Sequence, residues 1–179
     1  AVNLPNDDVK YFQYTWEEVD TTRGKYDERQ TSLSGDVVGD FIGIEASASG
    51  GAIYNKGTIS SITGDFISNS VTATNGTAYG GAIYNWGTIS SITGNFIGNS
   101  AIGNSAYGGA IDNCYTTISS ITGNFIGNHA TSNAGSSYGG VFSNYAYNTS
   151  KSGSYTINIG SLIGNFINNH ASGNTDTYG

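Results

Sequence analysis

The stretch that decides the fold is Gly80-Gly81-Ala82-Ile83-Tyr84-Asn85, followed three residues later by Thr88-Ile89-Ser90-Ser91-Ile92-Thr93-Gly94-Asn95-Phe96-Ile97-Gly98-Asn99. Its first half occurs also as Gly50-Gly51-Ala52-Ile53-Tyr54-Asn55 and Gly108-Gly109-Ala110-Ile111-Asp112-Asn113, and in degraded form as Gly139-Gly140-Val141-Phe142-Ser143-Asn144. The second glycine therefore steps by 30, 28 and 31 residues. The second half returns at residues 58–69, 117–128 and 158–169, and half a copy, Val37-Val38-Gly39-Asp40-Phe41-Ile42, precedes the first. A fixed period of this length signals a stack of identical units.

The residue types select the kind of stack. Helical repeats need long amphipathic runs of Ala, Leu, Glu and Lys, whereas this unit is built of Gly, Asn, Thr, Ser and Ile, which disfavour helix. Three short β runs per unit, at 52–55, 58–63 and 66–69 in the first copy, predict one coil of a parallel β-helix. Successive coils then lie at the strand spacing of ~4.8 Å, with each residue above its equivalent. Length varies in two places only. Between Asn69 and Gly80 there are ten residues, and between Asn99 and Gly108 eight, while the gap between the two motifs, two or three residues in the other copies, is thirteen in the fourth, at 145–157. Both places read as loops between fixed strands.

Stacking makes the candidate structural residues run in files. Ile53, Ile83 and Ile111, continued by Val141 or Phe142, form one inward column, and Ile62, Ile92, Ile121 and Leu162 another. Phe41, Phe66, Phe96, Phe125 and Phe166 form an aromatic column. Ile59 and Ile62 point the same way only if the chain bends at Ser60-Ser61. Asn55, Asn85, Asn113 and Asn144 align, as do Asn69, Asn99, Asn128 and Asn169. Asparagine tolerates turn conformations and its amide can bond the amides above and below. The paired glycines suit a tight corner.

Composition agrees. Charged residues are 11% of the 179, aromatics 12%, and glycine numbers 27. Low charge with many aromatics is the opposite of a disordered chain. The net charge of −7 removes the basic surface that nucleic acid or an anionic membrane would need. No apolar run reaches the ~20 residues of a membrane span, so no direct membrane insertion is expected. The single cysteine, Cys114, permits no intrachain disulfide. An N-terminal Ala1 fits a mature end left by signal-peptide removal, and hence a secreted or surface location.

Residues 1–33 differ from the rest. The first 45 residues hold 10 of the 13 acidic and 4 of the 6 basic residues. A boundary is placed near Ser34, giving an N-terminal cap or strand-donor segment at 1–33 and a solenoid array at 34–179 that ends within a repeat. Phe12, Tyr14 and Trp16 alternate on one face of a β-prone stretch and, with Tyr54, Tyr84 and Trp86, are the candidate partner contacts. An open solenoid exposes strand edges at its ends, so a cap is the ordinary role of such a segment.

Gly-Gly-Ala-Ile, intact at residues 50–53, 80–83 and 108–111, is paired with Phe-x-x-Asn at 66–69, 96–99, 125–128 and 166–169. This pairing resembles the tandem repeat of the polymorphic outer-membrane protein family, whose members are autotransporter passengers. The resemblance implies a right-handed parallel β-helix exported to a bacterial surface, commonly adhesive, in which the motifs are structural and carry no catalytic residue. The membrane barrel that ends a full autotransporter is not in this sequence.

Catalytic chemistry finds little here. A polysaccharide-degrading β-helix needs clustered carboxylates, yet the coils carry only Asp65, Asp112 and Asp176, in three copies and at different unit positions. His129 and His170 share a unit position and approach across adjacent coils, without the company a metal needs; they read as exposed loop-edge residues. Cys114 stands where other copies have Lys56 or Trp86 and reads as a passive thiol at a turn. The Thr and Ser files read as solvated β surface rather than an ice- or glycan-binding face. No cofactor and no metal is expected, and no enzyme. The leading expectation is an extracellular structural or adhesive solenoid that self-associates end to end into a fibre. The alternative is a monomeric passenger fragment that binds a host or cell-surface glycan or protein.

Overall fold

The computed structural model describes residues 34–145 and 158–178. Residues 1–33, with Phe12, Tyr14 and Trp16, and positions 146–157 of the insertion lie outside the described residues. Among those described there is no helix. Every strand pairing is parallel, and the strands form four stacked sheets, so the chain is a parallel β-helix.

Each sheet collects one part of the repeat. The Thr-Ile sheet runs through Ser34–Val38, Thr58–Thr63, Thr88–Thr93, Thr117–Thr122 and Asn158–Ile163. The Phe sheet contains Phe41–Ile42, Phe66–Ile67, Phe96–Ile97, Phe125–Ile126 and Phe166–Ile167. The Gly-Gly sheet contains Ile53–Asn55, Ile83–Asn85, Ile111–Cys114 and Phe142–Tyr145.

The fourth sheet corrects the sequence reading. The segments expected to be loops after Asn69 and Asn99 are strands, Ser70–Tyr79 and Ser100–Tyr107, continued by His129–Ser132 with Ser137–Tyr138 and by His170–Ser172 with Thr177–Tyr178. A coil thus has four strands, not three. These segments form an arm that doubles back on itself: the Ser137 hydroxyl donates to the Ala130 carbonyl, seven residues earlier, at 2.8 Å. Val71, Ala73, Ala78, Ala101, Ala106 and Ala130 fill the arm as a second, narrow core. Only small side chains fit between limbs that close, and alanine has little strand preference of its own, which hides the element in the sequence. The extra length of the earlier copy is absorbed where the ladder slips between Gly103 and Ser105.

The main core lies between the other three sheets. Ile59 and Ile62 are both fully buried, and the ladder to the next coil passes from Ile59–Ile89 directly to Ser61–Ser91, so the chain bends at Ser60. The Phe file stacks with ring centroids 4.7, 4.6, 5.1 and 4.8 Å apart from Phe41 to Phe166. That is the rung spacing of a parallel sheet, so one geometry satisfies backbone and aromatic packing together. Burial of these side chains stabilises the fold by roughly 1.5–3 kcal/mol apiece relative to exposure.

At the corner, the first glycine of each pair adopts φ +54 at Gly50, +60 at Gly80 and Gly108, and +63 at Gly139. The second has another constraint: a Cβ at Gly81 would overlap the carbonyl oxygen of Gly109 and approach the backbone of Ser100 at 2.6 Å. The pair thus answers two separate demands, a left-handed turn and a close approach between coils.

Candidate functional site

With no ligand-shaped cluster in the repeat, the functional candidates are the files, the outer faces and the terminal coil. Residues Asn69, Asn99 and Asn128 are fully buried, their side chains turned inward at the end of the Phe strands. Asn99 Nδ2 donates to the Phe66 carbonyl and to Asn128 Oδ1, each at 2.9 Å. Its Oδ1 accepts from both the backbone N–H and the Nδ2 of Asn69, each at 3.0 Å. One side chain therefore joins three coils. Asn169 continues the file, accepting from Asn128 at 2.9 Å. The other file runs Asn55 to Asn85 at 2.7 Å, Asn85 to Asn113 at 2.8 Å and Asn113 to Asn144 at 2.8 Å. Buried amides need such complete pairing.

The Ile files also assemble. Ile53, Ile83 and Ile111 pair in register and are buried, and the register continues to Phe142, while Val141 joins the core beside it. Ile62, Ile92 and Ile121 are buried, but Leu162, next in that file, is 39% exposed, and Phe166 is 50% exposed. Both sit on the last described coil, where no described residue covers them.

The proposed contacts divide. Trp86 is exposed at 44%. Tyr84, expected at the surface, is buried, because its ring is stacked against Tyr54 and Tyr79, with centroids 5.0 Å away in each case. Tyr54 is half-buried, with the Lys56 ammonium 4.9 Å from its ring centre. Tyr79, Tyr107, Tyr138 and Tyr178 form a further stacked file that the sequence reading did not single out, with centroids 5.4, 4.7 and 5.2 Å apart. Their shared position before the glycine pair was the available signal. Rings stacked on one another have their faces occupied, so this file presents edges and hydroxyls rather than platforms for a sugar.

Cys114 also departs from expectation. It is the last residue of a strand, paired with Tyr145 on the next coil, and buried, rather than lying in a turn. Beside it in the same strand, Asp112 takes the place in register held by Tyr84 below and Ser143 above. Asp112 is fully buried, and neither carboxylate oxygen has a hydrogen bond of normal geometry. Burial pushes its pKa well above the usual carboxylate range, offset in part by the Ser143 hydroxyl. Burial likewise pushes the Tyr84 phenol up, and the neighbouring Asp112 adds to the rise. His129 and His170 lie at strand starts, not loop edges, with rings stacked at 5.3 Å. Burial lowers the His129 pKa, opposed by a hydrogen bond with the Gly127 backbone, and the adjacent His170 lowers it further.

Asp65 is half-exposed and its Oδ1 accepts from the backbone and side chain of Asn95 at 2.7 and 3.0 Å. It lies at the start of a Phe strand, a different unit position from Asp112. Among the described residues no three His, Cys, Asp or Glu side chains gather to hold a metal, and no helix is long and apolar enough to cross a membrane. Compared with protein-family models, curated proteins and solved structures, the chain gives no match.

Proposed function

We propose that this chain is a non-catalytic, extracellular structural solenoid that extends end to end into a surface fibre. The observation that carries the reading is the stack itself, in which every coil repeats one strand set in register and so matches a coil of a second copy rung for rung. Asn158–Ile163, Phe166–Ile167 and His170–Ser172 each pair on one side only among the described residues, and Leu162 and Phe166 stand exposed in files that are buried one coil earlier. Such an edge is a template for another strand set with the same period. A copy added head to tail repeats the contact without closing it, which gives a filament. The repeat pattern of an exported passenger family supports the location. Against catalysis, Asp112 is sealed in the interior and Asp65 is engaged by Asn95.

Electron microscopy of the purified, concentrated chain tests this. Filaments are expected, and Phe166→Asp should reduce them to short particles while the β signal in circular dichroism persists. Dispersed single particles of the unaltered protein at high concentration would overturn the proposal. A second reading, a monomeric adhesin, is favoured by the exposed Trp86, whose ring is nearly perpendicular to Tyr84 and inclined at 55° to Tyr115. In that case Trp86→Ala abolishes binding to cells or glycans.

A further inference from the structure

Each two-residue Phe strand turns its Phe toward the core, fully buried at Phe66, Phe96 and Phe125, and its Ile outward. Ile42, Ile67, Ile97, Ile126 and Ile167 pair in unbroken register along the molecule. Ile42 is 62% exposed and Ile167 46%, with the three between them half-buried. A parallel outward file on the adjoining sheet runs Val38, Thr63, Thr93, Thr122 and Ile163, all exposed. An apolar ridge spanning the described coils goes beyond the scattered exposed aliphatics of an ordinary surface.

Between the two files lies a third, Asp40, Asp65, Asn95, Asn124 and Asn165. Its side chains bond one another along the axis: Asn95 Nδ2 donates to Asp65 Oδ1 at 3.0 Å, Asn124 Nδ2 to Asn95 Oδ1 at 3.0 Å, and Asn165 Nδ2 to Asn124 Oδ1 at 2.9 Å. Each of these oxygens also accepts the backbone N–H of the residue on the next rung. Acceptors already satisfied within the face lose little when water leaves it. The three files contain no cation, and their only charges, Asp40 and Asp65, lie at one end.

We infer that this face is a side-by-side docking surface for a second copy of the chain, packed antiparallel. The partner must carry a ridge with the same ~4.8 Å rung repeat, since any other period falls out of step within a few rungs, and another copy does so by construction. The electrostatics set the direction. A net charge of −7 opposes association in general, but this strip is neutral over most of its length. In the antiparallel arrangement Asp40 and Asp65 of one copy face the neutral Asn165 and Asn124 end of the other. The nearest carboxylates, the two Asp65, are then two rungs, about 10 Å, apart along the axis, and the two Asp40 four rungs, about 19 Å, against a screening length of ~8 Å in physiological salt. A parallel arrangement would set the same carboxylates against each other.

The area limits the strength. Five rungs of ~4.8 Å, across a face about 15 Å wide, cover roughly 350 Å² per partner, less than half of the ~800 Å² of a stable complex. A single pair is therefore weak, and the contact becomes durable when many coils act together. That last step rests on the end-to-end fibre proposed above, whereas the contact itself does not.

Cysteine cross-linking of the full chain tests the inference, since its own thiol, Cys114, is buried. In an antiparallel pair the middle rung meets itself, so Ile97→Cys should give a disulfide-linked dimer under mild oxidation. Ile42→Cys alone should not, whereas a mixture of Ile42→Cys and Ile167→Cys chains should. Ile67→Lys with Ile126→Lys should abolish the dimer, and turn filament bundles into single filaments, with the thermal transition retained. Phe166→Asp should shorten filaments yet leave the Ile97→Cys dimer intact, which separates this contact from the axial one. Absence of the Ile97→Cys dimer overturns the inference, and equal self-linking at Ile42 and Ile97 overturns the antiparallel arrangement.

Discussion

At the scale of single residues, the inward amides do what the aliphatic files cannot, which is to fix register. An Ile can slide by a fraction of a rung at little cost, but Asn99 has four partners at fixed distances on two neighbouring coils. Asn99→Ala leaves the Asn69 N–H buried without a partner, at ~1–3 kcal/mol, and removes the second donor to the Phe66 carbonyl and the link to Asn128. A loss of about 2–3 kcal/mol in urea unfolding is expected, larger than for truncation of an exposed Asn such as Asn133. Asp112 breaks the same rule of buried pairing and should show it in pH. Its folded-state pKa is raised, so the unfolded chain releases this proton from about pH 4 upward while the folded chain holds it. Stability therefore falls as pH rises from that point through the folded pKa. Asp112→Asn should flatten this slope and raise stability at neutral pH, measured by thermal unfolding of both proteins from pH 4 to 8.

Elements in this fold are set by the distance between coils more than by strand preference. A strand of two residues such as Phe96–Ile97 would not persist alone, yet it lies between two others with its Phe locked in a stack. Glycine marks the points where backbones come closest. Gly81→Ala should prevent folding or lower the melting temperature by well over 10 °C, because the added carbon meets backbone atoms that cannot move aside. Gly76→Ala, at the tip of the arm with nothing within 4 Å, should change it by no more than a degree or two. Equal effects at the two positions would remove the close-approach account of the paired glycines.

Across the whole molecule, stability is a sum over neighbouring coils, so an end coil can open while the centre holds. The last described coil is the exposed one, and His170 lies on it, stacked over His129. The lowered His129 pKa means that folding favours the neutral ring. The stabilisation is whole above the ordinary histidine pKa and declines as pH falls from there through the folded value. Hydrogen exchange at residues 170–178 should quicken at pH 5 relative to pH 7.5, after correction for intrinsic rates, while residues 89–99 stay protected. His129→Ser, the residue at this position in earlier coils, should remove the difference.

The sequence alone determined the period, the sheet class and the inward files, because stacking places like residues over like and leaves the repeat written in the chain. Phe66, Phe96 and Phe125 are legible for that reason, and so is the bend between Ile59 and Ile62, which no straight strand reconciles with two inward side chains. Three features needed the tertiary structure. The arm at Ser70–Tyr79 looked like a loop because its core is alanine and its length varies, and only limb-to-limb closure makes alanine the fitting side chain. Tyr84 looked exposed because alternation along its own strand puts it outside, where the rings of Tyr54 and Tyr79, the latter from another sheet, cover it. The outward Ile ridge was hidden behind the Phe file, since a Phe-Ile pair reads as core until one knows which of the two faces water. Periodicity tells which residues lie together, whereas the closure of the coil in space decides which side of the wall they stand on.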